Sequence, residues 1–286
     1  MNFKNMGKVL TMSLAFSGLS FQAHGFSRAL NTAATGMAAQ ETHVNTISNN
    51  IANVNTTGYK KSRAEMEDLL YETVQEAGAR SSNDTIYNVG VQIGSGVKVS
   101  ATRKEFSQGS PEVTNRPFDV MINGQGFFGI TLPNGEIRFT RDGAFSVNNK
   151  GTLVTKQGYK VFPTLNIPPN TMSVNISQDG TVEAFSRGET EPTVVGQIPI
   201  FTFVNPVGLK NAGGNLYRAT KSSGQPMQNI AGKSSAGVIK QGSLESSNVN
   251  IMNEMSGLIK AQRAYEMNSK VMGIADRMLQ TVNNIR

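Results

Sequence analysis

Leu30-Asn-Thr-Ala-Ala-Thr-Gly-Met-Ala-Ala-Gln-Glu-Thr-His-Val-Asn-Thr-Ile-Ser-Asn-Asn-Ile-Ala-Asn-Val54 decides the reading of this chain. With Leu30 at position a of a heptad, the a/d series is Leu30, Ala33, Met37, Gln40, Val44, Ile47, Ile51, Val54. Gln40 is its polar member, and the 3/4 spacing is that of a helix seam. A continuous helix of about 30 residues would span roughly 45 Å. Between Phe26 and Tyr59 the charged residues are Arg28 and Glu41, whereas a solvated helix normally carries charge opposite its apolar stripe. The remaining faces hold alanines, threonines and an amide stripe, Asn45, Asn49 and Asn53. Small residues and uncharged amides suit close packing against several neighbours, with amide hydrogen bonds between helices. The competing reading, a buried helix of an ordinary globular domain, would place five asparagines of the span Asn45–Asn55 in a dry core, at a cost.

The helix is expected to end in Val54-Asn-Thr-Thr-Gly58, with Gly58 at a C-terminal cap. Lys60-Lys61-Ser62-Arg63 follows and reads as a solvated turn. At the other end, Ser246-Ser247-Asn248 offers N-caps for a second helix running to the C-terminus. It carries two adjacent stripes, one of Met255, Leu258, Tyr265, Met272, Leu279 and one of Ala264, Met267, Val271, Ile274, Met278, Ile285. Adjacent helix positions lie about 100° apart, so the stripes form a double seam that calls for more than one helical neighbour. A single amphipathic helix capping a β domain accounts for the first stripe but not for both.

Between the helices, the spacing of Met66, Leu69, Leu70 and Val74 predicts that helix persists over 62–74. Residues 77–88 are rich in Ser, Asn and Gly and read as a loop or extended linker. Val89–Val99 alternates like a strand, and Phe118–Ile130 reads as two strands joined at Asn123-Gly124. Turns are expected at Pro133-Asn134-Gly135, Arg141-Asp142-Gly143, Asn149-Lys150-Gly151 and Gln178-Asp179-Gly180. The result is a compact antiparallel β domain, roughly 101–204, with barrel character. Gly94-Ser-Gly96 and Gly124-Gln-Gly126 complete no dinucleotide fingerprint and are assigned to turns or bulges.

Composition narrows the function. The chain has 286 residues, 38% hydrophobic and 16% charged, which fits neither a highly charged disordered protein nor a multi-span membrane protein. It lacks Cys, so disulfides and thiolate metal sites are excluded. A net charge of +7 invites a nucleic-acid reading, but the charges are dispersed and no recognised nucleic-acid motif occurs. The histidines are His24 and His43, and no metal-ligand spacing, serine-nucleophile motif or phosphate loop is present. The carboxylates read as scattered surface groups. Neither an enzyme nor a cofactor is expected, nor a small-molecule substrate.

The first 25 residues differ. Lys4 and Lys8 precede a moderately apolar stretch, Val9–Phe21, and Ala23-His24-Gly25 has small residues at the −3 and −1 positions of a secretory cleavage site. An uncleaved extension or a misassigned start codon is the alternative.

Ser27–Gln40 and Ile47-Ser-Asn-Asn-Ile-Ala-Asn-Val-Asn-Thr-Thr-Gly-Tyr-Lys-Lys61 resemble the N-terminal signature of bacterial flagellar rod and hook proteins. Asn123-Gly-Gln-Gly-Phe-Phe128, Phe139-Thr-Arg-Asp-Gly-Ala-Phe145 and Gly151-Thr-Leu-Val154 resemble the family's β-domain motifs. Gln241–Asn250 and Gln262–Lys270 resemble its C-terminal signature. The match runs from about Phe26 to Arg286; residues 1–25 have no counterpart. The distal-rod type fits best, on Glu67–Tyr71, the linker 77–89 and Gln92–Val97, with a proximal-rod paralogue as runner-up.

The resemblance implies an α+β chain whose terminal helices pair as a coiled-coil-like domain around a central antiparallel β domain. The parts would be 26–60 with 247–286 for assembly, 61–100 with 205–246 as a connecting region, and 101–204 as the outer β domain. It implies a subunit that self-associates into a helical tubular drive shaft crossing the periplasm to the outer membrane. Its partners would be other rod proteins, the hook protein and the surrounding P- and L-ring proteins. The residues expected at the assembly interface are Leu30, Met37, Val44, Ile47, Asn49, Ile51, Asn53 and Val54 on the first helix. On the last they are Leu258, Tyr265, Met267, Val271, Met272, Ile274, Met278 and Leu279. A secreted binding protein that kept the same fold is the alternative, carried by the leader.

Overall fold

The computed structural model describes the backbone of residues 3–78, 80–82, 85–86, 88–187 and 191–284, and the side chains of 28–78, 88–187, 191–281 and 284. The leader segment 1–25 and Ile285 therefore lie outside the described side chains. Helix α1 (Phe3–Ala52) and helix α2 (Ile251–Asn284) flank a long central run of short strands, an α+β arrangement. Two compact units divide the chain: Asn49–Ser62 with Arg103–Glu254, and Met1–Ser48 with Arg63–Thr102 and Met255–Arg286.

The first of these is the β unit, and strand Phe127–Thr131 is its hub. A turn at Leu132–Gly135, where Gly135 takes φ +80, folds the chain back so that Ile137–Thr140 pairs with the hub, Phe139 opposite Gly129. The hub's other edge takes Lys160–Val161 and Ile200–Thr202. Period-two alternation then sends Phe128 and Ile130 to one face and Phe127 to the other. The registers obey this: Ile200, opposite Phe128, joins the aliphatic core with Val161, Ile198 and Ile239. Phe201, opposite Phe127, joins an aromatic core with Phe139, Phe203 and Tyr217. Rings in the aromatic core meet edge to face, Phe139 and Phe203 with centroids 4.9 Å apart. Gly129 is required there, because a Cβ would reach 2.5 Å from the Phe201 ring. Each buried Phe contributes roughly 1.5–3 kcal/mol, and the unit's stability rests on these two layers.

A three-stranded sheet, Thr171–Ile176, Thr181–Ser186 and Thr193–Gln197, buries Val174, Ile176 and Val182 in the aliphatic core, and Ala184 is buried as well. The turn between its first two strands is the expected one at Gln178-Asp179-Gly180, with Gly180 at φ +88.

Several expectations are corrected. Val120–Asn123 and Phe127–Thr131 are both strands but not a hairpin. The first pairs with Val238–Gln241, more than a hundred residues away. The two glycines between them, Gly124 at φ +115 and Gly126 at φ +131, redirect the chain between sheets. The sheet order is an open path rather than a closed barrel. The core continues past Val204, since Leu216, Ala231, Ala236 and Ile239 all pack into it.

In the other unit, residues 62–74 are not helical. Ser62–Asp68 pairs with Val97–Lys104, and Tyr71–Gln75 with Val91–Gly94. The helical spacing had no core to face: Met66, Leu70 and Val74 are all exposed. Long-range strand pairing, with Leu69 N–H donating to Gly96 O at 2.9 Å, overrides the local pattern. The segment 77–88 holds two short paired strands, Arg80–Ser82 and Thr85–Ile86, in place of the expected loop or linker.

Helix α1 stops at Ala52, ahead of the expected end, and Gly58 is not its cap. Gly58 takes φ +67 in the turn beyond, and its N–H donates to Glu245 O at 2.7 Å. A Cβ there would lie 2.7 Å from the Arg141 carbonyl carbon. Gly58→Ala is expected to destabilise the β unit by about 1–3 kcal/mol from backbone strain alone. Thermal unfolding followed by circular dichroism checks this; an unchanged midpoint would refute the close approach.

Candidate assembly interface

The interface residues divide sharply by exposure. On α1, Ile47 is 4% exposed and Leu30, Met37, Val44 and Ile51 are half-buried, with Ala33 and Ala39 buried beside them; Val54, also half-buried, lies in the turn beyond the helix. On α2 the covered positions are Leu258, Ala261, Asn268, Met272, Ala275 and Leu279. With the half-buried Ala264 they recur every three or four residues, so they form one stripe. The two helices approach through small residues. A Cβ on Gly36 would lie 2.7 Å from Asn268 Nδ2, and one on Gly257 would lie 3.3 Å from Ile47 Cδ1. Ala261 and Ala275 were not singled out in the sequence; their spacing from Leu258 and Met272 was the available signal. A groove of about 750 Å³ opens beside this contact, lined in part by Gln40, His43, Met66 and Lys260.

Four members of the second stripe of α2 face outward, whereas Ala264 is half-buried. Met267 is 59% exposed, Ile274 52%, Met278 48% and Val271 46%. Gly273 lies among them with open space where its Cβ would be. Tyr265 and Met255, placed in the first stripe, are exposed as well.

Within the amide stripe the bonds are local, and the bond between helices comes from Asn50 beside it. Asn53 Nδ2 donates to Asn49 O at 2.9 Å, and Tyr59 Oη donates to Asn49 Oδ1 at 2.8 Å. The buried amide is Asn50, 1% exposed and outside the stripe. Its Nδ2 donates to Ser62 O at 2.8 Å and to Glu254 Oε2 at 3.0 Å, and its Oδ1 accepts from Ser62 N–H at 2.9 Å. The expected cost of five asparagines does not arise, because Asn45, Asn49 and Asn55 are exposed, Asn53 is half-buried and the buried Asn50 is hydrogen-bonded. Asn248 is not a cap: its Oδ1 accepts from Lys61 N–H at 2.7 Å and its Nδ2 donates to Glu105 O at 2.8 Å. The cap of α2 is Asn250, whose Oδ1 accepts from Asn253 N–H at 3.2 Å. Asn50→Ala and Asn248→Ala are each expected to cost about 1–3 kcal/mol by orphaning buried backbone groups. Denaturant midpoints measure this, and unchanged midpoints in both would contradict the network.

The basic cluster is not a solvated turn. Lys60 is wholly buried, and its Nζ donates to Glu245 Oε1 at 2.6 Å and Ser107 O at 2.6 Å. Glu245 is equally buried, so not every carboxylate is a surface group. Arg141, from the expected Arg-Asp-Gly turn, is 3% exposed. Its NH1 lies 3.4 Å from Glu245 Oε2, and its NH2 donates to Gly124 O at 2.7 Å. Burial pulls the Lys60 ammonium below the usual lysine range, with the Glu245 carboxylate opposing. Burial likewise lowers Arg141 against the same carboxylate.

Lys104 Nζ sits 4.3 Å over the Tyr59 ring and donates to Lys60 O at 2.7 Å. Burial pulls its pKa down to about 8. The folded value is below the unfolded one, so between about 8 and 10.4 the unfolded chain holds the extra proton and this group makes stability rise with pH; below about 8 its contribution is constant. Amine labelling should show Lys104 reacting with a midpoint near pH 8, well before surface lysines; a midpoint in the ordinary lysine range would refute it.

A chain that pairs two long terminal helices, leaves an apolar row on one of them bare and locks their roots into a β unit is an assembly protein. Family comparisons agree. Residues 30–60 match the family described as flagella basal body rod protein, residues 121–184 the flagellar hook protein FlgE/F/G D1 domain, and residues 240–285 the flagellar basal body rod FlgEFG protein C-terminal. The flagellar basal-body rod protein FlgG of Borreliella burgdorferi is 47% identical over 261 residues, 91% of this chain and 98% of the relative. That of Caulobacter vibrioides is 46% identical over 260 residues, 91% and 99%. That of Buchnera aphidicola from Schizaphis graminum is 46% identical over 251 residues, 88% and 96%. The chain belongs to the flagellar basal-body rod protein family, and it is a structural component of the flagellum, not an enzyme.

Proposed function

We propose that this chain is a subunit of the distal rod, polymerising into a helical tube that carries torque across the periplasm to the outer membrane. The observation that supports this most is the bare row of α2, Met267, Val271, Ile274 and Met278, on a helix that already buries Ala261 and Ala275 within the chain. In this reading α1 and α2 pair in coiled-coil fashion, the assembly layer comprises 26–60 and 247–286, and the β domain, whose core runs on past Val204, faces outward. The partners are further copies of this chain, other rod proteins, the hook protein, and P- and L-ring proteins surrounding the shaft. Residues 1–25 act as a leader, with the mature chain starting at Phe26. The intact mass of protein from the native cell tests the leader: a mass counted from Met1 overturns it. Electron microscopy of basal bodies from a deletion strain tests the rod reading. Truncated rods restored by complementation are expected; full-length rods in the deletion strain would overturn it.

A further inference from the structure

The sequence treats Lys60, Arg141 and Glu245 as unrelated, yet they meet in one solvent-free cluster. Each belongs to a different part of the chain. Lys60 is on the stem leaving α1, Glu245 on the stem entering α2, and Arg141 on the β unit between them. The contacts involve backbone as well as side chains. Gly58 N–H donates to Glu245 O at 2.7 Å, Gly109 N–H donates to Glu245 Oε1 at 2.9 Å, and Arg141 NH1 donates to Ile122 O at 3.3 Å. From the cluster the network continues outward through Asn248 and Tyr59 to Asn50. Asn50, on the last turn of α1, bonds to Glu254 on the first turn of α2.

A cluster with two cations and one anion is a poor way to gain stability, because desolvating three charges costs about as much as their attraction returns. It is a good way to fix geometry, because each charge has one low-energy position and every alternative strands it. Apolar stems of similar length could slide by a fraction of a turn. These stems cannot move without breaking charged bonds of 2.6 Å.

We infer that Lys60, Glu245 and Arg141 are positioning residues for assembly. They hold the end of α1 and the start of α2 to one point of the β unit, so that every subunit offers its two helix roots in the same arrangement. This rests on the rod reading, in which a helical polymer requires identical subunits.

The test uses the full chain. In Lys60→Met/Glu245→Gln, one positive and one negative charge are removed together, so the buried net charge is unchanged, and the introduced amide oxygen can still accept from Gly109 N–H. Its circular dichroism is expected to match the wild type at the assay temperature, while its polymerisation rate falls by ~10-fold or more, a change of about 1.4 kcal/mol at the contact. Polymerisation within about twofold of wild type by the folded variant overturns the inference. Native-state hydrogen exchange on the wild type decides independently, including where the variant does not fold. The Gly58 and Gly109 amides should exchange within about tenfold of the Ile198 amide in the core; exchange ~100-fold faster at Gly58 overturns the lock. Failure of the wild type itself to polymerise counts against the rod reading, and the exchange measurement still judges the lock.

Discussion

Glu245→Leu is expected to lower the unfolding midpoint of the β unit by on the order of 10 °C. Leucine fills a similar volume, so the loss is electrostatic. Lys60 and Arg141 would remain as two cations with no anion between them, at a site from which solvent is excluded. Breaking a buried pair by removing one partner costs about 3–5 kcal/mol, and for a unit of this size each kcal/mol moves the midpoint by about 2–4 °C. Gly109 N–H would also lose its acceptor. The chain has no Trp, so circular dichroism is the suitable probe. A midpoint within about 2 °C of wild type would mean that the cluster is solvated in solution, contrary to the burial seen here. Lys60→Met should be milder, because Arg141 still faces the carboxylate and Ser107 O keeps its second donor, Asn248 Nδ2.

Ile274→Asp combined with Met278→Asp is expected to abolish assembly and leave the subunit folded. Both side chains are about half exposed in the single chain, so their replacement disturbs little there. Exposed substitutions usually fall within about 0.5 kcal/mol, apart from the modest helix propensity of Asp. Once a neighbouring subunit covers the stripe, each unpaired carboxylate costs several kcal/mol, and every subunit in the polymer bears that cost. Cells carrying the variant should make normal amounts of protein and fail to swim. Swimming at wild-type speed would remove the second stripe from the interface. Ile47→Asp is a less clean probe of the same question. Ile47 is already buried within the chain and close to Gly257, so its replacement would damage the subunit before assembly.

Much of the architecture was legible in the sequence because its signals are local. The heptad spacing from Leu30 to Val54 and the stripes of the last helix announce α1 and α2 through the 3.6-residue period. The glycines at 135, 151 and 180 announce turns because their positive φ disfavours any side chain. The two stripes divide less cleanly than their spacing suggests, since Met255 and Tyr265 of the first are exposed and Ala264 of the second is half-buried.

The tertiary structure alone decided the rest. Residues 62–74 have a helical apolar spacing, but their fate depended on a partner strand some thirty residues away, which no local pattern reveals. Val120–Asn123 and Phe127–Thr131 carry strand signals that say nothing about which strand each will pair with. Ala261 and Ala275 are buried although small, so a search for large apolar stripes passed over them. Lys60, Arg141 and Glu245 each look like ordinary surface charges in their own neighbourhoods. Lys60 and Glu245 are 185 residues apart, and burial is a property of the folded space around a residue, so only the fold could turn three scattered charges into one lock.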